Sequence, residues 1–196
     1  MTLWLIGTLA LAGGDPCADA KKVDAAKAEL KALFDADQAD HEANVEKLEK
    51  LDAKRAKSAE KLAPYACEGQ TRYWAGVLLY RSRDPGVLEQ AYELGKAAMA
   101  EHLNEGPWLT AVSFDKWQIS RGLEQRFATQ MTTVAGRGAC LYPVAADSTD
   151  QERATYGLPP LKDAFRRVLD ANGYDKEPAT AQAVEAKKLW CDPDQW

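Results

Sequence analysis

From Ala18 to Leu62 the chain has no glycine and no proline, and alanine, lysine, glutamate and leucine dominate, so the whole stretch favours helix. Val23, Ala26, Leu30, Leu33 and Phe34 fall on one helical face, and Val45, Leu48, Leu51, Ala59 and Leu62 form a second apolar stripe. Between the stripes, Asp35 to Asn44 is polar and the apolar seam is lost. The pattern predicts two antiparallel helices with a reversal near Asp37. A clearer pair follows, Thr71 to Ser82 and Gly86 to Leu103, around an Asp84-Pro85-Gly86 turn. Trp74, Val77 and Leu78 face Leu88, Ala91, Leu94 and Ala98 in this pair. Pro107 suits the first turn of a helix running to about Arg121.

The period then changes. Phe127, Thr129, Met131 and Thr133 alternate with Ala128, Gln130 and Thr132, which is a strand pattern. Ala135 to Gly138 can turn the chain, and Ala139 to Val144 can return as a second strand. A lone hairpin is marginal in water, so it must lie against the helices. Helices are expected again over Thr149 to Tyr156, Pro160 to Ala171 and Pro178 to Trp190, with Asn172-Gly173 as a stop signal. The predicted fold is mainly α, an antiparallel helical bundle with one short β-hairpin embedded at about 126–144. It forms a single helical domain over residues 18–190, followed by a tail at 191–196.

The start of the chain and the cysteines concern location. Leu3 to Ala12 is a short apolar run ending in the small-x-small pattern Ala10-Leu11-Ala12, so residues 1–12 read as a secretory signal peptide. Gly14-Asp15-Pro16 before Cys17 is a poor lipobox. Cys17, Cys67, Cys140 and Cys191 are even in number, widely spaced and accompanied by only two histidines, which favours disulfides over zinc. Three connectivities are open. Cys17–Cys67 with Cys140–Cys191 is the preferred one, because each bond ties a terminal helix to its own half; the alternative is that one or both pairs stay reduced. A single helix over Ala18 to Leu62 would be about 67 Å long. Cys17 could reach Cys67 only if the chain turned back, since a disulfide needs Cα atoms within about 7 Å. The expected location is the periplasm or outside the cell.

Composition narrows the partners. The net charge is −5 with 46% hydrophobic residues, and the two charge signs are interspersed, which argues against nucleic acid. Beyond the start, no segment approaches the roughly 18 apolar residues of a membrane span. Partners are therefore an unknown protein or a small ligand. No cofactor and no metal is expected: His41-Glu42 lacks the second histidine of a zinc-protease helix. Asp37 and His41, at i and i+4, read as an ion pair before they read as metal ligands. His102 reads as a helix-end cation. Trp74, Trp108 and Trp117 are expected in the core, and Trp190 and Trp196 against the domain.

Polar groups gather around the hairpin. Asp115 and Lys116 precede it, and Gln125, Thr129 and Gln130 surround Phe127. Neutral amides and hydroxyls facing helices must find partners. They line either a ligand pocket or an internal hydrogen-bond network that fixes the hairpin.

The order Asp37-Gln38, Asp115-Lys116, Gln125-Arg126-Phe127-Ala128-Thr129-Gln130, then Arg153 with Gly157-Leu158-Pro159-Pro160-Leu161, resembles an uncharacterised bacterial domain-of-unknown-function family. That family's pattern is Asp-Gln, Asp-Arg, Gln-x-Tyr-Gly-Thr-Gln and Gly-Leu-x-Pro-Leu. The likeness spans about residues 35–168. It implies a helical domain with a short hairpin and brings no activity. Lys116 stands where the family has Arg, Ala128 where it has Gly, and His41 where a basic residue would follow.

No nucleophile elbow, phosphate-cradling glycine loop or Cys-x-x-Cys is present. The expected function is therefore that of an exported helical binding or envelope-associated interaction module. Asp37, Gln38, Asp115, Lys116, Gln125, Thr129 and Gln130 are its candidate ligand-binding residues, and no catalytic residue is assigned. The alternative is a small hydrolase or transferase with Asp37 or Asp115 as general base, Lys116 as anion anchor, and Gln125, Thr129 and Gln130 as substrate contacts.

Overall fold

A computed structural model describes residues 15–43 and 45–192. The signal-like run over residues 1–12 and the tail beyond Asp192 lie outside the described residues. Helix α1 (Ala20–Glu42) starts where the Asp19 carboxylate accepts the Lys22 backbone N–H. Helix α2 (Leu48–Leu62) runs back along it. The reversal falls between Glu42 and Leu48, later than expected, and Asp37 lies inside α1. The polar stretch does not break the helix because its charges are satisfied across the interface. Asp40 pairs with Arg55, His41 lies 3.2 Å from Asp52, and Asp37 faces Arg81.

The turn brings Cys17 and Cys67 within bonding range, with Cα atoms 5.7 Å apart. Helix α3 (Gly69–Tyr80) then opens on a capping box in which Glu68 and Thr71 satisfy each other's backbone N–H groups. Asp84 caps α4 (Pro85–Ala100) by accepting the Gly86 and Val87 N–H groups. Helix α5 (Gly106–Ser120) completes the bundle. Leu30, Ala59, Ala75, Leu78, Leu79 and Ala91 form one buried cluster, and Val77, Leu109 and Val112 another. Helices α4 and α5 approach closely because glycines line the crossing. A Cβ at Gly95 would lie 2.9 Å from the Thr110 nitrogen, and one at Gly106 would lie 2.5 Å from that of Met99.

The hairpin is present but shorter than its sequence pattern. β1 (Met131–Val134) pairs antiparallel with β2 (Gly138–Leu141), Met131 opposite Leu141 and Val134 opposite Gly138. Residues 126–130, expected as the start of the first strand, form an irregular loop, because Ala128 has a left-handed φ of 48° and the local N–H groups turn to Asp115. After α6 (Asp150–Thr155), α7 (Leu161–Ala171) and α8 (Ala181–Ala186) cover the hairpin. Ala139, Leu141, Phe165, Val168, Leu169, Val184 and Leu189 make that second core. The side chain of Asn172 clamps Ala139, accepting its N–H and donating to its carbonyl. Cys140–Cys191 fastens the C-terminal segment to β2, where the Cys191 N–H also donates to the Leu141 carbonyl at 2.9 Å. The last helix ends at Ala186 and not Trp190, since Lys188 takes a left-handed φ of 55° and the following chain pairs beside β2. Trp108, expected in the core, is 42% exposed on the first turn of α5.

The architecture is thus a mainly α fold with an embedded hairpin. No described helix is long and apolar enough to cross a membrane.

Candidate functional site

Asp115 is fully buried on α5 and organises the loop that follows it. Its Oδ1 accepts the backbone N–H groups of Arg126 and Phe127 at 2.7 and 2.8 Å. Its Oδ2 accepts the Thr129 N–H and hydroxyl at 2.9 and 2.8 Å. Burial pushes the carboxyl up to about 6, against the pull of these four donors. A carboxylate so engaged is a loop anchor, and using it as a general base would dismantle the loop.

Gln125 and Gln130 complete the anchor. The Gln125 amide donates to the carbonyls of Gln130 and Tyr142 and accepts the Gln130 N–H, so its hydrogen bonds go to backbone. The Gln130 amide donates to the Thr129 hydroxyl and the Val112 carbonyl, and accepts the Tyr80 hydroxyl at 3.1 Å. Tyr80, at the end of α3, joins this network to the solvent side. Its backbone carbonyl accepts the Lys116 ammonium at 2.8 Å, and its ring lies 4.6 Å from the same Nζ.

The next residue, Arg81, carries the seam to α1. Its guanidinium makes two contacts to Asp37, at 3.0 and 3.3 Å, and the Gln38 amide also donates to Asp37. His41 Nε2 lies 3.6 Å from Asp37 and 3.2 Å from Asp52. One ligand atom each of Asp37, His41 and Asp52 lie within 4.8 Å of one another. Arg81 and Arg55 already bring positive charge to this group, so it stands as a balanced ion network.

All seven candidate residues therefore belong to one continuous polar seam, running from Gln38 and Asp37 through Arg81, Tyr80 and Lys116 to Gln130, Gln125, Thr129 and Asp115. They do not converge on one point. Asp115, Gln125 and Thr129 sit at the inner end and serve the loop, and Asp37 is fully buried beneath Arg81. Only Lys116 and Gln130 of the seven line the open cleft of about 520 Å³ at the outer face. That cleft is bounded by Leu48, Glu49 and Asp52 of α2, by Arg81 and Arg83 after α3, and by Met131, Thr132 and Tyr142 of the hairpin region. Burial, reinforced by Arg81 and Arg83, pushes the Lys116 ammonium down to about 8, with Asp52 opposing.

Arg81, Arg83, Asp52 and Tyr142 were not evident from the sequence. Arg81-Ser82-Arg83 ahead of the Asp84 cap was the available signal: two like charges at i and i+2, immediately after a helix, leave along a turn and not on opposite helix faces. Chemically, the cleft offers two guanidiniums, an ammonium and hydroxyl groups beside the carboxylates of Glu49 and Asp52, and the cations outnumber the carboxylates three to two, a balance suited to a carboxylate or phosphate. Comparison with protein families, curated proteins and solved structures finds no match to this chain.

Proposed function

We propose that the chain is an exported binding module whose cleft receives the anionic group of a ligand. The observation that carries this reading is the meeting of Arg81, Arg83 and Lys116 on one concave surface, with Gln130 and Thr132 beside them. A bound anion would offset the burial, and the repulsion by Arg81 and Arg83, that hold the Lys116 ammonium down, so binding and protonation support each other. Two intramolecular disulfides fit an oxidising compartment, and with the apolar run at residues 3–12 they support export to the periplasm or beyond. The same reading associates the chain with the uncharacterised bacterial family whose motifs it resembles. In that light, the motif residue Lys116 would serve the ligand, and Asp115, Gln125, Thr129 and Gln130 would hold the wall behind it.

Binding is favoured over acid–base chemistry because Asp37 and Asp115 are both committed to structural partners. Isothermal titration with succinate and with inorganic phosphate tests it. The wild type is expected to bind at least one of the two at low ionic strength, with affinity falling more than fivefold in Lys116→Gln and again in Arg83→Gln. Equal affinity in all three proteins, or no binding of either anion, would overturn the reading.

A further inference from the structure

The cationic cleft does not end at the two arginines. A second hollow of about 420 Å³ shares Glu49, Arg81 and Arg83 with it and continues along α2 to Glu60. Its other wall is the α3–α4 corner, from Ser82 to Val87. Ala53, Ala56 and Val87 give it an apolar floor, and Lys57, Glu60 and Ser82 put donors and acceptors along its edges. From Leu48 to Glu60, α2 rises about 18 Å, which is the length of roughly five extended residues.

We propose that this groove binds the C-terminal end of a peptide. The terminal carboxylate sits among Arg81, Arg83 and Lys116, and the preceding residues lie extended along α2. A small aliphatic side chain rests over Ala53, Ala56 and Val87. The inference rests on the anion-binding reading of the cleft and adds the class of ligand.

Charge and shape select this occupant. Arg81, Arg83 and Lys116 meet at one end, where they outnumber the Glu49 and Asp52 carboxylates, which suits a ligand with a single terminal anion. Farther along, Glu60 and Asp84 offset Lys57, and with Glu49 at the junction they would repel a chain carrying an anion at every unit, such as a phosphodiester backbone. None of the described residues lining the second hollow is aromatic, so a linear sugar would lack a stacking surface there. A peptide backbone instead finds side-chain hydrogen-bonding groups along the edges, and the floor accepts a short side chain. Arg83 pairs with Glu49 at 3.1 Å where the hollows meet, and both side chains are 75% exposed, so the guanidinium can exchange that carboxylate for the ligand's with little desolvation.

The test is fluorescence anisotropy with fluorescein-Gly-Gly-Ala-Val-Ala as the free acid and as the C-terminal amide. The free acid is expected to bind at least tenfold more tightly. Lys116→Gln should remove most of that difference, and the neutral change Ala53→Gln, on an exposed face of α2, should weaken the peptide more than fivefold while leaving succinate binding unchanged. Circular dichroism melts establish that both variants fold. If succinate binds but acid and amide peptides bind alike, or if a trigalacturonate binds more tightly than the peptide, the peptide assignment is overturned and anion binding stands. If succinate, inorganic phosphate and the peptide all fail to bind, both readings fall.

Discussion

Asp115→Ala is expected to destabilise the protein by about 3–5 kcal/mol, because it strips the partner from three backbone N–H groups inside the fold, each worth about 1–3 kcal/mol when left unsatisfied. The loss is partly offset, since the variant no longer buries a charge. The effect should reach the cleft. Loop 125–130 positions Gln130, which accepts the Tyr80 hydroxyl, and Tyr80 in turn holds Lys116. Asp115→Asn is a gentler test. Its oxygen can still accept the Arg126 and Phe127 N–H groups, but its NH2 would meet the Thr129 N–H, so a loss of about 1–2 kcal/mol is expected.

The two proteins should also differ in pH dependence. The Asp115 carboxyl is raised in the fold from 3.8 to about 6, so the folded state binds this proton more tightly than the unfolded chain does. Its contribution is therefore greatest below pH 4 and is lost as pH rises through about 6. The stability of the wild type relative to Asp115→Asn should fall by up to about 3 kcal/mol over that window and then level off. Urea unfolding at a series of pH values between 3.5 and 7.5 measures this difference directly. A difference independent of pH would contradict a carboxyl raised by burial, and a loss below about 1 kcal/mol in Asp115→Ala would contradict the anchoring role.

Loss of the disulfides is the second large effect. Cys17–Cys67 and Cys140–Cys191 span 50 and 51 positions, and closing loops of that length stabilises by about 4 kcal/mol each in the chain-entropy view. Together they approach the whole stability of an ordinary domain, about 5–15 kcal/mol. Their consequences should differ in place. Without Cys17–Cys67, the start of α1 loses its tether to α3, while the Leu30–Ala59–Leu78 core remains. Without Cys140–Cys191, the segment beside β2 is held only by backbone hydrogen bonds and by Leu189 and Val184 in the second core. The Cys140→Ser/Cys191→Ser variant is expected to lose hydrogen-exchange protection across residues 131–141 before the helical bundle does. Full reduction should leave a protein largely unfolded at 37 °C. A reduced protein with an unchanged urea midpoint would show that the helical cores suffice without them.

What the sequence revealed, and what it hid, follows from the range of the interactions. Helix content, the hairpin and the preferred cysteine pairing are carried by local composition, periodicity and chain reach, and they agree with the structure. The point of reversal after α1 was misplaced because Asp35 to Asn44 looks like a broken seam locally. Arg55, Asp52 and Arg81, remote in sequence, supply its partners. The first strand begins later than its alternation suggests for a similar reason. Phe127 to Thr133 alternates as a strand does, but a carboxylate twelve residues upstream of Phe127 takes its N–H. The polar residues around the hairpin are legible as a group, and their number near one another is compatible with a shared network or a pocket. Which of them face solvent was not, because that depends on how α2 and the α3–α4 corner stand against the hairpin. Arg81 and Arg83 become informative only once that packing brings them opposite Lys116.

The most direct measurement is the titration of Lys116 itself, by NMR of its side-chain ¹³Cε resonance with and without succinate. The ammonium should titrate near 8 in the free protein, depressed by burial and by Arg81 and Arg83. Saturating succinate should move it upward, because an anion in the cleft favours the charged form. A Lys116 resonance whose titration is unchanged by saturating succinate and by saturating phosphate, in a protein that remains folded, would contradict an anion site in this cleft.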